Sequence, residues 1–243
     1  DVDLAGSMTS GDLTVSVHGS KLTQTIGLGG TAKDMHIADA ELQRLTSAGG
    51  LRVGGAAGGS MTVHEVTAAG SNNVAPLVTL VAAADDAQVV FATAASTFNA
   101  LAAQGDNGIL VQVDLSSVAT GVYLDADLDN SSTADTANSL EVADARTITA
   151  RTLLTLEASQ GSITPVGTLT LAAGSGIVVL DSMSAANNAK SLVINADYDS
   201  AGDGTLTVVG GKVVTSNKSD ITITAWDVDL AGSMTSGDLT VSV

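Results

Sequence analysis

Residues Asp1 to Val17 read DVDLAGSMTSGDLTVSV, and residues Asp227 to Val243 read DVDLAGSMTSGDLTVSV again. All seventeen positions match, at an offset of 227 − 1 = 226 residues. A match of that length makes the 243-residue chain one period of a tandem array plus a 17-residue overlap. Neither copy is flanked by a linker, a tag or a start methionine, which weighs against a duplicated segment introduced by engineering. Inside the string, Gly11-Asp12-Leu13-Thr14-Val15 is a polar turn running into alternating residues, the mark of a short strand. The same pattern returns at Gly204-Thr205-Leu206-Thr207-Val208.

Working outward, short alternating segments bounded by Gly, Asn, Asp or Ser recur along the whole chain. Strands are predicted at 13–17, 51–53, 61–66, 77–82, 88–92, 109–115, 123–124 and 147–150. Further strands follow at 153–156, 168–171, 177–180, 192–195, 206–209 and 221–225. The one helical pattern, ADAELQRL at 38–45, is too short to stand alone and predicts a brief turn. Nothing alternates long helices with strands, so a doubly wound α/β fold is excluded. Weaker echoes, YLDADLDN at 123–130 and VINADYDS at 193–200, suggest a degenerate ladder of about 20 to 25 residues per coil. The long period would then hold roughly ten coils and advance about 50 Å at the usual inter-strand spacing.

Composition points the same way. Hydrophobic residues make up 44% of the chain but aromatics only 2%, so the core must be thin and filled by Ala, Val, Leu and Ile. A β-solenoid has such a core, one or two side chains wide. Acidic residues outnumber basic ones 26 to nine, a net charge of −17. That balance argues against nucleic acid and anionic membranes as partners and favours cations. No run of 18 apolar residues is present, so membrane insertion through a helix is not expected. With no cysteine, disulfides and thiolate metal sites are absent.

The acidic loops carry the clearest chemical signal. Asp125, Asp127 and Asp129 alternate in DADLDN, and Asn195, Asp197, Asp199 and Asp203 follow the same habit in NADYDSAGDG. Calcium takes six to eight oxygen ligands, so such loops are candidate calcium sites, although neither has the terminal Glu of an EF-hand. The competing reading is that Asp and Asn simply build turns. Asn130 and Asn217 begin N-glycosylation sequons. Gly27–Ala32, GLGGTA, fits a dinucleotide fingerprint but lacks the following helix, so turn glycines are the better reading. His18, His36 and His64 lack metal-ligand spacing, and no nucleophile elbow is present. Arg146 and Arg151 flank TITA and could line a groove, with Tyr123, Tyr198 and Trp226 as the available aromatic platforms.

The Gly-Asp-Leu-Thr-Val string, Thr-Leu-Thr-Leu-Ala-Ala-Gly at 168–174, residues 36–55 and the NADYDSAGDGTLTV run at 195–208 resemble the filamentous-haemagglutinin-like β-helix proteins, giant secreted bacterial adhesins. The resemblance implies a right-handed parallel β-helix at the cell surface or outside the cell. It implies a structural or adhesive role and no required cofactor, although no carbohydrate-recognition module is visible.

The expectation is therefore an all-β parallel β-solenoid, a single segment over 1–243, continuous from repeat to repeat. Asp1 to Val17 and Asp227 to Val243 are expected to occupy equivalent places, so that each unit caps the next. The expected function is a structural, non-enzymatic unit of an extracellular fibre that partners itself, with lateral bundling open. The alternatives are the stalk of an adhesin binding glycans and a polysaccharide-acting β-helix enzyme.

Overall fold

A computed structural model describes residues 2–74, 76–131, 135, 137–187 and 190–243. The chain winds as a parallel β-helix: three long parallel sheets run along its length, and successive strands visit them in turn. The first face has nine strands, the second ten and the third seven. Coil by coil, the chain passes from first face to second to third and back. Leu101–Gly105, Ile109–Val111 and Leu115–Ser117 make one such circuit.

Every pairing is parallel, so each strand's backbone groups bond to the coils before and behind it, and like side chains lie over one another. On the first face Val78, Leu101, Val122, Leu154, Ile177, Leu206 and Val228 form one unbroken row. On the second, Val89, Ile109, Leu140, Ile163, Met183, Val214 and Met234 do the same. On the third, Leu115, Ile148, Leu171, Ile194 and Ile223 stack. The period of two sends these residues inward and their Thr, Ser and charged neighbours outward. Both phenylalanines, Phe91 and Phe98, are fully buried. They stand on consecutive strands of one circuit, Phe91 stacked between Val63 and Val111 and Phe98 over Ser117.

The predicted strands fall on these faces, with instructive differences. Residues 109–115 are two strands rather than one, because the chain turns a corner at 112–114. Leu101–Gly105 escaped the pattern because its alanines mask the alternation. The helical pattern shrinks to Asp39–Leu42, and a second helical turn, Ala68–Ser71, packs on it. The coils are less regular than 20 to 25 residues. Leu101 to Val122 is a step of 21, whereas Val122 to Leu154 is a step of 32, because the loop after Asp125 is long. Nine first-face strands give eight steps, about 38 Å at ~4.8 Å each, so the unit is shorter than the expected 50 Å.

The first coils are also irregular. Ile26–Gly29 and Met35–Ile37 lie side by side on the second face, the later strand on the outer edge. This fold-back depends on the GLGG string. A Cβ on Gly27 would lie 1.9 Å from the Thr31 carbonyl oxygen, and Gly29 has φ +81° against the His64 carbonyl. The glycines are therefore turn-formers, as read from the sequence.

The two copies of the seventeen-residue string do not occupy equivalent places, which corrects the expectation. Val15–Val17 pairs on the first face, whereas its copy contributes Val241–Ser242 to the third. Met8–Thr9 pairs with Leu45–Thr46 in a small sheet of its own, whereas Ser233–Thr235 joins the second face. Asp1 lies outside the described residues, and Val2 donates to the His36 carbonyl at the outer edge of the second face. Its counterpart Val228 is on the first face, in Asp227–Leu230. The physical reason is winding: from Val15 the chain makes eight first-face steps and then two further faces to reach Val241. One period is thus not a whole number of coils, and the second copy is displaced by one face.

Leu124 is fully buried between Ala103 and Leu156 in its row. Leu124→Ala should cost about 2–5 kcal/mol. Leu22→Ala, at a side chain 80% exposed, should change stability by less than about 0.5 kcal/mol. Urea denaturation of the two variants checks the contrast.

Candidate functional site

The acidic residues gather at two corners of the coil. The corner between first and second faces collects the turns that follow Val78–Ala82, Leu101–Gly105 and Val122–Asp125. These supply Asp85, Asp106 and the loop carrying Asp127, Asp129 and Asp135. The corner from third face back to first carries Asp197, Asp199 and Asp203, after Leu192–Asn195. The two sequence echoes therefore sit at different corners of the coil.

In the DADLDN loop, the first candidate calcium site, each carboxylate is engaged separately. The strand runs on through Asp125, whose Oδ2 accepts from the Tyr123 hydroxyl at 3.2 Å and from Gln104 Nε2 at 3.3 Å. Its Oδ1 accepts from the Asp127 backbone at 3.2 Å. Asp127 turns inward, fully buried, and its Oδ2 takes the Gln160 N–H at 2.6 Å. Asp129 instead closes a local turn onto the Ser131 N–H at 2.8 Å. Each carboxylate has a separate task, as the turn-building reading anticipates.

The second loop does converge: Asp197, Asp199 and Asp203 bring one oxygen each within 4.8 Å of one another. The Asn195 Oδ1 accepts from the Asp197 N–H at 3.3 Å, a turn rather than a ligand position. A cation already stands there, because Arg151 Nη1 contacts Asp199 Oδ2 at 2.7 Å. That guanidinium holds the Asp199 carboxyl below its ordinary range. Trp226, 70% exposed, lies against Gly202 of the same loop.

A third constellation, invisible in the sequence, joins Asp85, Asp106 and Asp135, again with one oxygen each within 4.8 Å. They come from three successive coils, spaced 21 and 29 residues apart, so no local motif marks them. Asp106 is only 6% exposed. Its Oδ2 has no hydrogen-bond partner among the described residues, and neither has Asp135 Oδ1. Burial, followed by the charges of Asp135, Asp129 and Asp85, pushes the Asp106 carboxyl up to about 6. Asp127 is raised as well, chiefly by burial. Farther along this corner Asp181 is buried too, but it is paired with Lys212 and accepts the Ala158 N–H at 2.9 Å.

The remaining candidates are dispersed. Asn130 is exposed in a turn with φ +56°, and the hydroxyl residue of its sequon, Ser132, lies outside the described residues. Asn217 donates through Nδ2 to the Ala185 carbonyl at 3.3 Å, and its sequon hydroxyl residue, Ser219, is buried. Arg146 turns onto the Asp144 carbonyl at 3.0 Å, away from the Arg151 pair. Tyr123 donates to Glu157 at 2.6 Å on the first face, whereas Tyr198 and Trp226 belong to the opposite end of those strands. His18 and His36 contact backbone carbonyls, and His64 stands 3.9 Å from Glu65. No described helix is long and apolar enough to cross a membrane. Compared with known proteins, the chain matches no family model, no curated protein and no solved structure.

The Arg151–Asp199 pair stabilises the fold at pH values above the ordinary aspartate range, and its contribution fades as pH falls through the depressed Asp199 value. In Arg151→Ala the NMR titration midpoint of Asp199 should rise towards the ordinary 3.8.

Proposed function

We propose that this chain is a structural repeat unit of a long filament in which successive 226-residue units continue one solenoid. The observation that carries the reading is the second copy of the repeated string. It forms a further circuit, pairing with the preceding coil through Asp227–Leu230, Ser233–Thr235 and Val241–Ser242. Parallel strands stacked in register, like side chain over like, are how a repeat array extends, so the repeated string is the joint on which coils of neighbouring units stack.

The displacement of the copy gives the filament a defined geometry. Val2 sits at the edge of the second face, and its counterpart Val228 is on the first. Val15, on the first face, shifts in the same sense, its counterpart Val241 lying on the third. Each unit is therefore the previous one advanced along the axis and turned by a third of a revolution. Such a screw keeps all three faces continuous while presenting each outer surface in three directions.

The role is mechanical rather than catalytic: axial hydrogen bonds carry load, and the acidic surface keeps neighbouring filaments apart. An extracellular or cell-surface location rests on the resemblance of the strand strings to filamentous-haemagglutinin-like proteins. Electron cryo-microscopy of a chain holding several consecutive units tests the reading. The expected image is an unbroken rod with a ~4.8 Å axial repeat, longer by about 40 Å for each unit and turned by one face. Beads separated by gaps, or units in the same rotational setting, would overturn it.

A further inference from the structure

Of the acidic clusters, the one joining Asp85, Asp106 and Asp135 has an unmet electrostatic demand. Asp106 is more than nine-tenths buried and brings one carboxylate oxygen within 4.8 Å of oxygens of Asp85 and Asp135, and its Oδ2 has no hydrogen-bond partner among the described residues. Among the described residues, the buried Oδ1 of Asp135 has no hydrogen-bond partner either. Leaving ionised oxygens so placed costs free energy that a bound cation recovers. Among the described residues no lysine or arginine forms an ion pair with any of the three, whereas Asp181 has Lys212 and Asp199 has Arg151.

We infer that Asp85, Asp106 and Asp135 bind one calcium ion, which ties three successive coils together at the first-to-second-face corner. The donor set is all oxygen, which selects a hard cation over zinc or copper. Up to three negative charges surround one divalent ion. Three carboxylates give between three and six ligand oxygens, and water reaching the site past exposed Asp85 completes the shell. The turns that carry the ligands are loops of unequal length, which suits the flexible coordination of calcium better than the strict octahedron of magnesium. The site is independent of the filament reading, since all three ligands belong to one unit.

The experiment is a calcium chloride titration of the chelator-treated 243-residue chain, followed residue by residue by NMR. Saturable shifts are expected at residues 84–87 and 105–108, with a midpoint of about 0.1 to 1 mM. Asp106→Asn should abolish saturation, Asp85→Asn should weaken binding at least about tenfold, and Asp199→Asn should leave it unchanged. Asp85 is exposed, so its variant keeps the test decisive should Asp106→Asn fail to fold. The inference is overturned by an absence of saturable shifts up to about 20 mM calcium, far above the expected midpoint. Shifts centred on residues 197–203, an unchanged midpoint in Asp85→Asn, or equal shifts with magnesium chloride would each overturn it as well.

Discussion

The axial ladder of parallel backbone hydrogen bonds is the constraint on which this structure depends. A strand in a parallel stack bonds to the coil behind and the coil ahead, so its residues must lie over their counterparts. The row from Val78 to Val228 is the result: seven stacked positions, all Val, Leu or Ile. Any residue too large for its section would push the neighbouring coils apart. A chain with so few aromatics fits this architecture, because its core is a column and not a volume.

The same ladder explains why the corners carry chemistry. Faces admit little variation, whereas a turn between faces can lengthen without disturbing register, as the step from Val122 to Leu154 demonstrates. Turn-forming acids accumulate there, and stacking then sets acids of successive coils above one another. At the corner from third face back to first, the charge of Asp199 is met by Arg151, and at the corner between second and third faces Lys190 meets Asp144. At the first-to-second-face corner, Asp106 is desolvated beside Asp85 and Asp135 with no basic side chain paired to it among the described residues. Coulomb repulsion inside a partly buried corner is far stronger than on an open surface, so the difference between the two matters.

Winding also governs how the repeated string is used. Seventeen identical residues adopt different pairings at the two ends because what they pair with differs. The first copy meets a fold-back, in which Met35–Ile37 lies outside Ile26–Gly29. The second meets a regular coil and extends it. A fractional number of coils per period turns a linear repeat into a screw.

Much of this was legible in the amino-acid sequence. The period, the all-β character and the thin aliphatic core follow from composition and from alternation of period two, both local properties. The alternation found the longer strands; it missed short ones such as Met35–Ile37, Ser96–Phe98, Leu140–Val142, Ile163–Pro165 and Val213–Thr215, where three residues are too few to show a period. It also missed Leu101–Gly105, where alanine blurs inside and outside, and fused 109–115, where a corner interrupts an apolar run. The loop of Asp197, Asp199 and Asp203 was legible because its members are close in the chain, but the capture of Asp199 by Arg151, 48 residues away, was not. Only the tertiary structure decided the face on which each copy lands, because coil lengths add up along the whole unit. Only stacking decided the Asp85, Asp106 and Asp135 constellation, because parallel register joins residues a full coil apart and leaves no trace in local spacing.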